Sequence, residues 1–305
     1  MKKCVLIYNP ASGKGKTKIE KNLNEIKEKF YIYGYDLEII TTKYKGHAIE
    51  IVENLNKVDL VVSIGGDGTF NEIMTGNFKR DARLLVAHIP LGTTNDLGNM
   101  FGYGKKLINN IELLLTGVKR KIDICTINGQ PFVYCAGFGK FVNISYDTPR
   151  KLKEKFGYVA YWMKGVKEIS NETKLYDIEY EIDGNIYCDK CSFMMVSNAN
   201  RVAGIKTLYE NIKLNDSKFE VLFCKFNKKN DIGKILYYLA SKNISASENF
   251  KFYKTDNLKI KFKDKQLHNW SIDGEKFETE DVCDIKIVKG IEILMPSKNI
   301  SNLFV

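Results

Sequence analysis

Apolar positions in the first third of the chain come in short, nearly unbroken runs: Val5–Tyr8, Leu60–Ile64 and Leu84–Ile89. Longer stretches in which apolar and polar residues mix at helical spacing separate them. This rhythm predicts strands near 3–8, 35–41, 58–64 and 84–89 and helices near 15–31, 47–56, 69–76 and 105–116. Strands that read as continuous apolar runs are buried on both faces, so the expected architecture is a doubly wound α/β domain with a parallel sheet.

From about residue 119 the period changes to two. Lys121–Ile127, the turn pair Asn128-Gly129 and Pro131–Ala136 read as a hairpin. Leu175–Asp183 and Ile186–Ser197 flank a second turn at Gly184-Asn185, and further strands are expected at 218–226, 257–263, 267–273 and 284–294. Helices near 150–169 and 229–241 interrupt them. The second half therefore reads as an antiparallel all-β domain. The boundary is placed between residues 1–125 and 126–305, with the last residues packing back on the first domain. No repeat or flexible linker is evident.

Composition narrows the class. With 305 residues and 44% hydrophobic content the chain can bury two cores. No run approaches the ~18 apolar residues of a membrane span, and the apolar segment after Met1-Lys2-Lys3 is too short for a secretory signal, so a cytoplasmic location is expected. Seven dispersed cysteines do not form a disulfide framework, and Cys188-x-x-Cys191, lacking a second pair, reads as two thiols in a strand. The formal charge of +10 suits an anionic partner such as nucleic acid, an acidic membrane or a polyphosphate, and equally a Lys-rich surface.

Three loops at strand ends carry candidate chemistry, because open α/β folds bind ligands at the carboxyl edge of the sheet. Asn9-Pro10-Ala11-Ser12-Gly13-Lys14-Gly15-Lys16 follows the first strand and opens a helix, where small residues let N–H groups approach an anion. It is not a P-loop, since Pro10 occupies the position of the first glycine. Gly65-Gly66-Asp67-Gly68-Thr69-Phe70-Asn71-Glu72 follows the third strand, and its glycines make sense if phosphates lie against exposed N–H groups. Asp67 could act on phosphates only through Mg²⁺ or water. Pro90-Leu91-Gly92-Thr93-Thr94-Asn95-Asp96 repeats the logic after the fourth strand, though alone it also reads as a helix cap.

Together these loops resemble the diacylglycerol kinase catalytic family, in particular its soluble bacterial lipid kinases. The likeness extends to Lys121-Ile122-Asp123-Ile124, Leu214-Asn215-Asp216 and Ile272-Asp273-Gly274-Glu275, and so covers nearly the whole chain. It implies an N-terminal nucleotide domain and a C-terminal β-sandwich. It also implies an ATP- and Mg²⁺-dependent kinase acting on a membrane lipid hydroxyl, with diacylglycerol converted to phosphatidic acid. By the same resemblance, ATP is held by Asn9, Pro10, Ala11, Ser12, Gly13, Thr42, Gly66, Asp67, Gly68, Thr69, Phe70, Asn71, Glu72 and Thr93. Asp273 is the general base, with Glu275 beside it. Asp216 holds a structural Mg²⁺ with backbone carbonyls near Lys213 and Lys218, and Asp67, Asp96 and Asp123 form an acidic network. The chain departs from the family pattern at Ser217, where glycine is usual, and at Asn99, where a basic residue is frequent.

Between Arg150 and Lys167 six basic residues and one acidic residue accompany Phe156, Tyr158, Tyr161 and Trp162. That composition suits a peripheral contact with an anionic membrane carrying the lipid substrate. A solvated helix with its aromatics turned inward, or a homodimer contact, reads equally well. The rival functions are an NAD-kinase-like or other small-molecule kinase, which shares Gly-Gly-Asp-Gly-Thr, and a non-catalytic nucleotide-sensing or membrane-binding module. Nucleic acid is not an expected partner, since no base-reading motif accompanies the charge.

Overall fold

The computed structural model describes residues 1–10, 15–92, 95–139, 174–199, 201–202, 205–206, 212–225, 248–264, 268–297 and 300–305. Ala11, Ser12, Gly13 and Thr93, the expected helices near 150–169 and 229–241, and the Arg150–Lys167 segment lie outside the described residues. The chain divides into two compact units, Met1–Ile122 with Lys289–Val305, and Asp123–Val288.

The first unit alternates strand and helix: β1 (Lys2–Tyr8), α1 (Gly15–Lys21), α2 (Leu23–Ile32), β2 (Tyr35–Thr41), α3 (His47–Asn54), β3 (Leu60–Gly65), α4 (Asp67–Phe78), β4 (Val86–Pro90), α5 (Asp96–Met100) and α6 (Leu107–Leu115). The strands are parallel in the order β2-β1-β3-β4. Val5, Leu6, Ile7, Val61, Val62, Val86, Ala87 and Ile89 are fully buried, as continuous apolar runs require. Because β2 and β3 flank β1 on opposite sides, the chain reverses direction across the sheet between β1 and β3. Crevices of this kind bind ligands in open α/β folds.

The second unit contains the second half of β5 (Val118–Ile127), then β6 (Gln130–Phe132), β7 (Cys135–Gly139), β8 (Tyr176–Ile182), β9 (Asn185–Cys191), β10 (Phe193–Ser197), β11 (Arg201–Val202), β12 (Ile205–Lys206), β13 (Phe219–Cys224), β14 (Phe250–Thr255), β15 (Asn257–Phe262), β16 (His268–Ile272), β17 (Glu275–Thr279) and the start of β18 (Val282–Met295). One antiparallel sheet runs β14-β13-β10-β7-β16-β17; in the other, β15 lies between β8 and β18. Side chains from both sheets meet in one core that includes Phe138, Tyr180, Val221, Ile260, Trp270 and Ile285. Strand β15 shows the alternation that such a sandwich imposes, with Leu258, Ile260 and Phe262 buried and the lysines between them exposed. The far end of β18 belongs to the first unit, where Ile293 and Leu294 pair in parallel with Val86 and Ala87 of β4.

Several elements depart from the sequence expectation, each for a reason that its hydrogen bonds or backbone angles show. The long first helix breaks at Asn22, whose side-chain amide donates to the Lys18 carbonyl, competing with helical bonding. The run Pro131–Ala136 is two strands, not one, because the N–H groups of Val133, Tyr134 and Cys135 turn to a carboxylate instead of a neighbouring strand. The run Ile186–Ser197 breaks at Ser192, whose N–H and hydroxyl both donate to the Cys224 carbonyl. The second turn centres on Asp183-Gly184, one residue earlier than expected. These residues have φ of 52° and 76°, the two positive values a tight hairpin turn needs, and Asn185 already pairs with Ile182. Strands β14 and β17 and helix α5 were not expected. Cys188 and Cys191 both lie on β9.

Candidate active site

The first unit gathers the ends of β1, β2, β3 and β4 at one edge. Thr42, just past β2, is buried, and its N–H donates to the Tyr8 carbonyl at 3.0 Å, so the loop after β2 is tied to the end of β1. Asn9 follows directly. The loops after β3 and β4 are joined through the Gly65 carbonyl, which accepts from the N–H groups of Leu91 at 2.6 Å and Gly92 at 3.1 Å. A Cβ on Gly92 would stand 2.6 Å from the Gly66 Cα and 3.2 Å from its nitrogen, so glycine is required for these two backbones to approach so closely.

Asp67 opens α4, and its carboxylate accepts from the N–H groups of Asp96 at 3.1 Å and Leu97 at 3.3 Å. It thereby supplies a cap to α5 from a different loop, with the negative charge at a helix N-terminus, where it is favoured. Asn95, immediately before α5, adopts φ of 54° and donates its amide to the Gly92 carbonyl at 2.8 Å.

Behind this edge His88 lies fully buried on β4, 3.3 Å from the Ser63 hydroxyl and with its ring 4.9 Å from that of Phe70. Burial pushes its pKa down to about 3, so the imidazole is neutral; its 4.0 Å approach to Asp67 is not an ion pair. Phe70 is likewise fully buried, so its side chain belongs to the core and any ligand contact falls to its backbone. Glu72 buttresses: its carboxylate accepts the Gly46 N–H at 2.9 Å, joining α4 to the loop after β2.

The remaining candidates lie in the second unit. Asp273 is 4% exposed and takes φ of 48° at the turn between β16 and β17. Its carboxylate accepts three backbone N–H groups, from Val133 at 2.6 Å and from Tyr134 and Cys135 at 3.0 Å each. Three donors orient it, as suits a fixed acceptor of hydrogen bonds. Glu275 starts β17 two residues on and is exposed.

Asp216 lies in the turn before β13. One of its oxygens accepts the Lys218 N–H at 3.1 Å and the other meets the Lys254 ammonium at 2.7 Å. Lys254 also reaches Glu220 at 3.3 Å. Burial works against the Lys254 charge, but the two carboxylates hold its pKa above the ordinary lysine value. Burial pushes Glu220 up to about 7, and its Oε2 has no hydrogen-bond partner among the described residues. The two carboxylates are neutralised here by the Lys254 ammonium, and no group of three acidic, histidine or cysteine side chains placed to hold a metal ion occurs among the described residues.

Ser217, at the usual glycine position, adopts φ of 62°. Its N–H donates to the Asp123 carboxylate at 2.7 Å, and the Asp123 N–H donates to the Leu214 carbonyl at 2.6 Å. Of the acidic set, Asp67 and Asp96 therefore meet within the first unit. Asp123 lies with the Asp216 turn in the second. Sequence reasoning missed His88, Glu220 and Lys254, because a buried histidine and an in-strand ion pair leave no spacing signature.

A family model described as the diacylglycerol kinase catalytic domain matches residues 3–127. The chain is 30% identical to a diacylglycerol kinase of Bacillus subtilis over 99% of both chains. It is 29% identical to a diacylglycerol kinase of Staphylococcus aureus (strain MRSA252), covering 97% of this chain and 93% of that protein. A solved structure from Bacillus anthracis str. Sterne, provisionally named a diacylglycerol kinase, superposes with a TM-score of 0.82 at 25% identity, covering 96% of this chain and 95% of that one. With likeness of this extent across both units, the chain belongs to the diacylglycerol kinase family and is a lipid kinase.

Proposed function

We propose that this kinase transfers the γ-phosphoryl group of ATP, accompanied by Mg²⁺, to the free hydroxyl of diacylglycerol, giving phosphatidic acid and ADP. The observation that supports it most is the stitched edge of the first unit. There the ends of β1, β2, β3 and β4 lie together, and Gly66 and Gly92 let the loops after β3 and β4 approach closely. Phosphoryl transfer needs mainly positioning and charge neutralisation, which N–H groups and a divalent ion supply.

In this reading Asn9, Pro10, Ala11, Ser12, Gly13, Gly66, Gly68, Thr69, Asn71 and Thr93 cradle the phosphates, and Thr42 stands beside the nucleoside. Glu72 acts indirectly, by holding the loop after β2. The acceptor oxygen forms a bond to the γ-phosphorus as the bond to the bridging oxygen of ADP breaks, and the hydroxyl proton passes to Asp273. Mg²⁺ neutralises phosphate charge when bound. Asp216, with carbonyls near Lys213 and Lys218, would hold a second, structural ion in exchange for Lys254. The acceptor is reached at an anionic membrane face by a protein of the cytoplasm.

The test is transfer of labelled γ-phosphate in the presence of Mg²⁺ to a panel of acceptors: vesicles carrying diacylglycerol, phosphatidylglycerol, a sphingoid base or undecaprenol, and NAD in solution. Label in diacylglycerol is expected. Label in another acceptor instead would replace the substrate, and hydrolysis or binding without transfer would favour a nucleotide sensor.

A further inference from the structure

The loop after β2 presents an aromatic surface that the phosphate-binding loops do not use. Tyr44 is 54% exposed, yet its side chain is held at two points. Its ring stacks on His47 with centroids 4.7 Å apart and planes 26° from parallel. Its hydroxyl donates to Glu50 on α3 at 2.6 Å. The His47 ring is in turn oriented by the Lys43 N–H, which donates to its Nδ1 at 3.0 Å. Exposed tyrosines ordinarily sample several rotamers. Here stacking on one face and a hydrogen bond at the tip fix the side chain and leave it half-open to solvent.

The position of this platform gives it meaning. Thr42 bonds to Tyr8 at the end of β1, and Gly46 bonds to Glu72 on the helix that opens with the glycine-rich block. The loop carrying Tyr44 is thus anchored to both elements that present phosphate-binding backbone. In the strand order β2-β1-β3, it lies two strand spacings, about 10 Å, from the end of β3. A nucleotide whose phosphates lie at the crevice between β1 and β3 has its nucleoside within reach of β2.

We propose that Tyr44, backed by His47, is the stacking platform for the nucleobase of the phosphoryl donor. The proposal rests on the reading of this edge as an ATP site and adds to it the group that receives the base. Stacking on a π-face is tolerant of base identity, because every base offers one. The platform therefore supports purine triphosphates as a class, GTP included.

The experiment is calorimetric titration of the full chain with MgATP, MgGTP and inorganic tripolyphosphate. Tyr44→Ala is expected to weaken both nucleotides about tenfold, the effect of losing one stacked contact, while leaving tripolyphosphate affinity unchanged. Tyr44→Trp and Tyr44→Phe, which keep a ring, should bind ATP within about threefold of the natural protein. Because Tyr44 is half-exposed, the nucleotide-free melting temperature of Tyr44→Ala should stay within a degree or two. Unchanged ATP affinity in a folded Tyr44→Ala variant overturns the proposal. So does equal loss of tripolyphosphate binding, which would mean that the loop had shifted as a whole. Failure of the natural protein to bind ATP at all would instead overturn the donor reading on which the proposal rests.

Discussion

Two oxygens of Asp273 accept three backbone N–H groups from Val133, Tyr134 and Cys135, and this arrangement alters what a substitution there does. Asp273→Asn replaces one acceptor by an amide donor. With the amide oxygen kept on Tyr134 and Cys135, the new NH₂ faces the Val133 N–H, leaving two donors opposed. A buried donor without a partner costs about 1–3 kcal/mol, so the variant is expected to melt lower than the natural protein. Below that melting point, lipid phosphorylation should fall ~10²–10⁴-fold if Asp273 takes the proton, with ATP affinity unchanged. Calorimetry and single-turnover labelling read the two effects separately. Full turnover in the folded variant would place the base elsewhere. At the other end of the chemistry, His88 is a neutral, buried imidazole that supports the Asp67 loop. A depressed folded-state pKa means that stability is complete above pH 6.5 and declines as pH falls toward 3, by about 1.4 kcal/mol per pH unit.

At the scale of elements, the strands and helices of the first unit were legible because their signals are local. Leu60–Gly65 is apolar except for the buried Ser63 and is bounded by glycine, so strand β3 announces itself. Where the sequence misled, the cause was a partner distant in the chain. Pro131–Ala136 reads as one strand until Asp273, far along the chain, draws three of its N–H groups aside. Strand β17, with the sequence EKFET, has only one partly buried aromatic and was passed over. The loop at Asp216 shows the reverse case, in which a sequence departure is explained by the structure. The resemblance leads one to expect glycine where Ser217 stands, and here the residue adopts φ of 62°, a conformation costing a residue with a Cβ roughly 1–2 kcal/mol. Ser217→Gly should therefore stabilise the protein by about 1 kcal/mol in urea unfolding, since its N–H remains free to donate to Asp123. A neutral or destabilising result would show that the serine hydroxyl offsets the strain.

The whole molecule carries a formal net charge of +10, a property that no element explains alone. In the proposed reaction the lipid acceptor resides in a membrane, and no helix among the described residues is long and apolar enough to cross one. Contact with the acceptor would then be peripheral and, with this charge, electrostatic in part. Each basic side chain near an anionic surface contributes about 1 kcal/mol, and this contribution decays over the Debye length, about 8 Å at physiological ionic strength and ~3 Å at 1 M salt. Turnover on vesicles containing anionic lipid should therefore fall steeply as salt rises, whereas turnover on neutral mixed micelles of the same acceptor should change little. Charge reversal at Lys153 and Lys164, in the basic and aromatic segment, should remove most of the salt dependence on anionic vesicles. The variant should keep full activity on micelles, because the proposed reaction assigns neither lysine a role in the chemistry. A variant that retains the full salt dependence would assign the membrane contact to another basic surface. Equal salt dependence on vesicles and micelles would instead place the effect on nucleotide binding, not on the membrane.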